Sequence, residues 1–96
     1  MRIWGLISIM YKLKYTKAFE KNLKKLSASE QKAVAQKLKL LIQDPFYPSL
    51  RTKKVQGFDH VFEMSVNMNI RILWRYEGTL ILLLIDVGHH KDILGI

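Results

Sequence analysis

The first half of the chain shows two different periodicities of hydrophobic positions. From residue 7 to residue 15, apolar and polar side chains alternate, a pattern typical of a half-buried strand. Met10 is a second possible start, so residues 1–9 are either an N-terminal extension or the beginning of a long first strand. Helical spacing follows, with Thr16 as a suitable N-cap for one helix and Ser27 opening a Ser-x-x-Glu capping box for another. The short link between them predicts an antiparallel helical hairpin.

The second half of the chain predicts three strands joined by tight turns. Residues 61–66 and 70–76 alternate, whereas residues 79–87 are almost continuously apolar, as in a central strand covered on both sides. Residues 45–57 have no regular pattern and form a basic connection. We therefore predict a single α+β domain over residues 1–96, in the order β-α-α-β-β-β, with an antiparallel sheet packed on the helical hairpin.

The charge of the chain indicates an anionic partner. Lys and Arg number 16 against 8 Asp and Glu, a net charge of +8, which favours nucleic acid, an acidic protein or a membrane surface. There is no cysteine, which excludes disulfides and thiolate metal sites and fits a reducing compartment. The N-terminal apolar run is shorter than the roughly 20 residues of a membrane span, and no small-x-small cleavage site follows it. Because secreted basic proteins of this size usually carry disulfides, the absence of cysteine leads us to expect a cytoplasmic protein. Adjacent histidines in an extended segment face opposite ways, so His89 and His90 do not predict a metal site.

Several short motifs occur in a characteristic order after a lysine-rich helical hairpin. They are Pro-Ser-Leu-Arg-Thr at 48–52, Lys-Val-Gln-Gly at 54–57, Ser-Val-Asn at 65–67, Ile-Arg-Ile at 70–72, and Asp-Val-Gly at 86–88 followed by His90. Together they resemble the RelE/ParE toxin superfamily of type II toxin–antitoxin modules, nearest its YafQ-like branch. The resemblance runs from about residue 11 to residue 94. It implies a RelE-like fold and a cofactor-free endoribonuclease that cleaves messenger RNA on the ribosome and is inhibited by an acidic antitoxin.

The resemblance also implies roles for individual residues. Arg71 matches an arginine that contacts the scissile phosphate, His90 matches the catalytic histidine of the YafQ-like branch, and Lys54 matches a loop lysine of RelE-like members. Lys53 stands where the YafQ-like branch often has histidine. Three further positions also depart from the pattern of that branch: Ser65, Asn69 and Leu94.

Metal-free RNA cleavage by 2′-hydroxyl attack needs a base, an acid and cations around the phosphate. Histidine suits a proton-transfer role and arginine suits phosphate, so we predict His90 as general acid, with Arg71, Lys53 and Lys54 stabilising the phosphorane. The weaker candidates for the base are Glu63 and His60, both of which we expect on the surface. Further cations predicted to contact RNA phosphates, including those of ribosomal RNA, are Arg51, Lys17, Lys21 and Lys24.

Two other functions on the same fold stay open at this point. A ParE-like inhibitor of DNA gyrase would bind rather than cleave, and His90 speaks against it because such members generally lack this histidine. A catalytically degenerate module that only binds its antitoxin is the other alternative, because four positions of the YafQ-like pattern are replaced. All three functions predict an acidic, partly disordered antitoxin that folds on the basic surface of the chain.

Overall fold

The computed structural model describes residues 10–93 as one five-stranded sheet with two main helices packed against it. The predicted first strand or extension at residues 1–9, and the position of Leu94, lie outside the described residues. Within the described range no helix is long and apolar enough to cross a membrane. The elements are β1 (Lys12–Tyr15), α1 (Lys17–Lys25), α2 (Ala28–Leu41), a 3₁₀ turn (Pro48–Leu50), β2 (Lys53–Lys54), β3 (Phe62–Ser65), β4 (Ile70–Glu77), β5 (Ile81–His89) and α3 (His90–Ile93).

Both helices begin at the caps that the sequence predicts. The Thr16 hydroxyl accepts a hydrogen bond from the Phe19 backbone N–H at 3.0 Å and donates to the carbonyl of Ile85 in β5 at 2.6 Å. At the start of α2, Ser27 Oγ accepts from the Glu30 N–H, and Glu30 Oε1 accepts from the Ser27 N–H, which completes the capping box. The Thr16 cap therefore also anchors α1 to the sheet.

The sheet is mixed, in the order β1-β5-β4-β3-β2. The antiparallel meander of β3, β4 and β5 is confirmed, but β1 runs parallel to β5, so the sheet is not wholly antiparallel. A parallel neighbour requires a long connection, and here the helical hairpin together with β2, β3 and β4 lies between β1 and β5 in the chain. The basic connection also contributes the two-residue strand β2, which pairs with β3 and which the sequence pattern did not predict.

The core lies between one face of the sheet and the helices. Trp74, Ile72 and Met64 of the sheet are fully buried there, together with Val34 and Leu41 of α2. The opposite face of the sheet is less covered. Strand β5 is second from the edge rather than central, and its residues Ile81 and Leu83 are only half-buried. The prediction of a central strand covered on both sides was therefore wrong for β5.

Candidate active site

Three charged residues meet on the face of the sheet that points away from the core. In β3, Met64 is buried in the core, and its neighbour Glu63 therefore points to the opposite face. Lys53 of β2 is directly opposite Glu63, and Arg71 of β4 is opposite Ser65, one step diagonally from Glu63. Cross-strand and diagonal neighbours of this kind are within reach of long side chains. The sheet register therefore gathers Lys53, Glu63 and Arg71.

Glu63 is the buried centre of this group. Only 3% of the residue is exposed, although the sequence reasoning expected it on the surface, so that expectation was wrong. Its Oε1 lies 3.7 Å from Lys53 Nζ and 3.9 Å from Arg71 Nε. Its Oε2 is buried and has no hydrogen-bond partner in the described part of the chain. The two cations cover the carboxylate, which explains how a charged residue is buried on the outer face of a sheet.

His90 lines the same cavity as this carboxylate. It begins α3 directly after β5, and its backbone N–H donates to the carbonyl of Asn69 at 2.7 Å. Its Nδ1 is buried and finds no hydrogen-bond partner within residues 10–93. His90 and Glu63 line one cavity of about 510 Å³, the first cavity, whose remaining lining residues are Lys53, Lys54, Val55, Gln56 and Phe58.

Arg71 borders a second cavity of about 380 Å³. Its Nη1 donates to the backbone carbonyls of Asn67 at 2.5 Å and Ile70 at 3.1 Å, which fixes the guanidinium at the end of β4. The lining of the second cavity consists of Arg71, Arg51, Lys37, Ser49, Ser65, Val66, Asn67 and Met68. The predicted phosphate-binding residue Arg51 therefore lies with Arg71, whereas Lys53, Lys54, Glu63 and His90 lie in the first cavity.

The other predicted residues lie apart from both cavities. His60 is exposed in the turn before β3, with a backbone φ of 63°, and it lines neither cavity. Lys17, Lys21 and Lys24 are exposed on α1, where Lys24 pairs with Glu20 at 3.5 Å. The structure thus brings Glu63 into the candidate site and leaves His60 out.

Two of the positions that depart from the YafQ-like pattern are nevertheless part of this region. Ser65 lines the second cavity, and the carbonyl of Asn69 holds the backbone of His90. Sequence reasoning missed Lys37 and Ser49, because Lys37 belongs to no motif, the 48–52 motif indicates no role for Ser49, and only the fold brings α2 and the 3₁₀ turn next to β4. Across residues 10–93, no group of three or more His, Cys, Asp or Glu side chains is arranged to hold a metal ion.

The end of β5 that carries His90 is also tied to α2. His89 Nε2 lies 3.2 Å from Glu30 Oε2, the second oxygen of the capping-box carboxylate. The pKa of Glu30 is lowered from its ordinary value, chiefly because the Ser27 backbone N–H donates to the carboxylate, with a further contribution from His89. The helix cap and the chain segment before His90 therefore share one carboxylate.

The sheet order and the helix placement match those of solved toxins. No family model matches the sequence, and no curated protein matches it significantly. A chain of the RelBE toxin–antitoxin complex from Mycobacterium tuberculosis superposes with a TM-score of 0.72 at 19% identity, over 85% of this chain and 100% of that one. The chain has the RelE/ParE toxin fold. This RelE-like fold is the one that the sequence resemblance implied.

Two further solved structures share the RelE-like fold. One is a chain of the DinJ–YafQ toxin–antitoxin complex from Escherichia coli, with a TM-score of 0.72 and 17% identity over 91% of this chain and 100% of that one. The other is the YoeB/ParE toxin from Agrobacterium tumefaciens, with a TM-score of 0.72 and 15% identity over 82% and 98% of the two chains. The RelE-like fold therefore accommodates very different sequences, and the function of this chain has to be argued from its own site.

Proposed function

We propose that the protein is the toxin of a type II toxin–antitoxin pair and that it cleaves messenger RNA on the ribosome. The observation that carries the proposal is the buried Glu63 carboxylate between Lys53 and Arg71, in a cavity that His90 also lines. A carboxylate, an imidazole and cations are together the groups that RNA cleavage by 2′-hydroxyl attack requires. The shared fold with the solved toxins and the net charge of +8 support the same function.

Glu63 takes the role of general base in this proposal. Its Oε2 is free to accept the proton of the 2′-hydroxyl, because Lys53 and Arg71 both approach the other oxygen. Their distances of 3.7 and 3.9 Å are longer than direct hydrogen bonds, which span about 2.7–3.2 Å, so both cations keep donors available for a phosphate. An RNA phosphate that enters the cavity can therefore take these donors from Glu63.

His90 takes the role of general acid. As the 2′-oxygen forms its bond to phosphorus, the bond from phosphorus to the 5′-oxygen breaks, and the imidazolium gives its proton to the leaving oxygen. The products are a 2′,3′-cyclic phosphate and a free 5′-hydroxyl, and no other reactant is consumed. Lys53, Lys54 and Arg71 stabilise the negative charge that accumulates on the phosphorane, and Arg71 does so with a planar donor pair.

The partners follow from the same charge distribution. Messenger RNA and ribosomal RNA are polyanions, and the exposed lysines of α1 supply contacts to their phosphates that do not depend on sequence. An acidic antitoxin inhibits the protein by covering the cavity and its cations. Toxin–antitoxin complexes are among the solved structures with this fold.

Growth arrest and RNA mapping in the same cells test the proposal. The wild type is induced beside His90→Ala, Arg71→Ala and Glu63→Gln, and the 5′ ends of messenger RNA are mapped after induction. We expect arrest with cuts in phase with codons for the wild type, and neither arrest nor cuts for the three variants. His60→Asn is the matched control, because His60 is an exposed histidine outside both cavities and asparagine tolerates its positive φ.

Other outcomes separate the alternatives. Arrest without cuts would indicate an inhibitor of DNA gyrase, and it would overturn the nuclease. A folded wild type that neither arrests growth nor cuts RNA would indicate a degenerate module that only binds its antitoxin. Co-expression with the acidic product of the neighbouring reading frame should restore growth, and failure to restore it or to form a complex would contradict the toxin–antitoxin pair.

A further inference from the structure

Within residues 10–93, the second cavity is lined by groups that can bind an anion, but not by a carboxylate or a histidine that could transfer a proton. Its lining includes three cations, from Lys37, Arg51 and Arg71, together with two serine hydroxyls and the Asn67 amide. Among the residues described, no carboxylate lines this cavity, whereas Glu63 lines the first. Like charges around one space repel each other, and an anion with several acceptor oxygens removes that repulsion. The second cavity therefore favours a phosphate and offers it no base.

Arg71 connects the two cavities. Its Nε lies 3.9 Å from Glu63 Oε1 in the first cavity, and its Nη1 donates to the carbonyl of Asn67, which lines the second. Ser65, which also lines the second cavity, is the direct cross-strand partner of Arg71. The Arg71 side chain would therefore lie between an anion in the second cavity and a phosphate bound next to Glu63 in the first cavity.

We propose that the second cavity binds the phosphate next to the scissile one, so that the protein holds two consecutive phosphates of a single RNA strand. This inference rests on the proposed function, which assigns the scissile phosphate to the first cavity. The volume of about 380 Å³ lies at the lower end of ligand sites, which span about 300–1,000 Å³, and it suits one nucleotide unit. Met68, 89% exposed at this cavity, offers an apolar surface to the attached base.

The backbone at Arg51 supports a binding role for this cavity. Arg51 follows the 3₁₀ turn with a φ of 51°, in the left-handed region that residues other than glycine rarely adopt. Such conformations cluster at ligand sites, where the surrounding structure holds them in place. Lys37 approaches the same space from α2, so the three cations come from α2, from the residue after the 3₁₀ turn and from β4.

Uncleavable RNA probes of two lengths test the inference. A 2′-O-methyl dinucleotide contains one phosphodiester and a 2′-O-methyl trinucleotide contains two, and neither has the hydroxyl that attacks. Their binding to the full chain is followed by amide chemical shifts at several salt concentrations. For the wild type, we expect tighter binding of the trinucleotide than of the dinucleotide. The slope of the logarithm of the binding constant against the logarithm of the salt concentration should be steeper by about 0.7 for the added phosphate. The amide signals of Ser49, Arg51 and Asn67 should shift with the trinucleotide alone.

The double variant Lys37→Gln/Arg51→Gln should bind the dinucleotide as the wild type does, but it should no longer bind the trinucleotide more tightly than the dinucleotide. Lys32→Gln/Lys39→Gln is the matched control, because it removes two exposed charges of α2 that line neither cavity, and it should still bind the trinucleotide more tightly. The inference would be overturned if the wild type bound dinucleotide and trinucleotide with equal affinity, or if it did not bind the trinucleotide. It would also be overturned if Lys37→Gln/Arg51→Gln still preferred the trinucleotide as strongly as the wild type does. Binding of these probes does not depend on cleavage, because they cannot be cut. If the wild type binds the trinucleotide more tightly than the dinucleotide but cuts no RNA in cells, the proposed nuclease is overturned and the two-phosphate inference is not.

Discussion

Two buried polar atoms without hydrogen bonds line the same cavity. In the described part of the chain, neither Glu63 Oε2 nor His90 Nδ1 has a partner. Leaving a buried polar group unsatisfied costs about 1–3 kcal/mol, so native proteins keep few of them. Two other such atoms among the described residues, Trp74 Nε1 and Glu77 Oε2, do not line this cavity, and the pair that does is understandable if its missing partners are atoms of a substrate. At the residue scale, these two unsatisfied atoms lower the free energy of unfolding at the place where the reaction is proposed to occur.

Glu63→Gln keeps the shape of this side chain and removes the proposed general base. We expect the rate of RNA cleavage on ribosomes to fall by about 10²–10⁴-fold, the usual contribution of acid–base catalysis. The free energy of unfolding, measured by urea denaturation, should fall by no more than about 1 kcal/mol, because the amide still fits between the strands. Glu20→Gln, an exposed substitution on α1, is the control for loss of a carboxylate. Near wild-type cleavage by Glu63→Gln would contradict its role as base.

At the scale of the elements, local caps and long-range pairing act together. The Thr16 hydroxyl caps α1 and also donates to Ile85 of β5, and the Glu30 carboxylate caps α2 and also contacts His89. Each cap therefore fixes where a helix begins and also contacts β5, at the middle of the strand for Thr16 and at its last residue for Glu30.

Ser27→Ala removes the hydroxyl of the capping box. We expect the free energy of unfolding to fall by about 1 kcal/mol, because the Glu30 N–H at the start of α2 loses its acceptor. Urea denaturation at neutral pH measures the change. Gln36→Ala, exposed in the middle of the same helix, should change the stability by only a few tenths of that amount. Equal effects of the two substitutions would show that the cap does not stabilise α2.

The Glu30 carboxylate makes the stability of this cap dependent on pH. The Ser27 backbone N–H, with smaller contributions that include His89, lowers the pKa of Glu30 below its ordinary value of 4.5. A lowered acid pKa stabilises the fold fully above the ordinary value, and the stabilisation is lost as the pH falls through the lowered pKa. The difference in unfolding free energy between wild type and Glu30→Gln should therefore be constant above pH 4.5 and shrink below it. A difference that grows on acidification would contradict the capping role.

Features encoded by neighbouring residues could be predicted from the sequence, and features that depend on distant contacts could not. The caps at Thr16 and Ser27 need only the next three residues, and both are confirmed. The parallel pairing of β1 with β5 depends on residues far apart in the chain, and β2 is too short to show alternation. Glu63 alternates correctly to the outer face, but its burial depends on cations from two other strands.

At the scale of the whole molecule, charge is distributed unevenly between surface and site. The net charge of +8 comes largely from exposed lysines, whereas the lining of the first cavity includes the buried carboxylate of Glu63. The field of the whole surface attracts polyanions over distances of about one Debye length, roughly 10 Å at 0.1 M salt. The exposed lysines thus attract polyanions, whereas the proposed reaction depends on the charged residues of the first cavity.

Association with the proposed acidic antitoxin should therefore depend strongly on salt. We expect the association rate constant, measured by stopped-flow fluorescence, to fall by about tenfold or more between 0.05 and 0.5 M salt, because electrostatic steering is screened. The dissociation rate constant should change less. Removing three charges with Lys17→Gln, Lys21→Gln and Lys24→Gln should flatten the dependence, whereas His60→Asn should leave it unchanged. An association rate insensitive to salt would contradict steering by the basic surface.

The parallel pairing of β1 with β5 determines when during synthesis the sheet can be completed. Thr16, at the end of β1, bonds to Ile85, which is 69 residues further along the chain. At a translation rate of about 5–20 residues per second, β1 emerges roughly 3–14 seconds before its partner strand. His90 follows β5 directly, so the sheet and the proposed acid are completed together. If the chain is the proposed toxin, we therefore expect a nascent copy to be harmless to the ribosome that makes it until translation has passed β5.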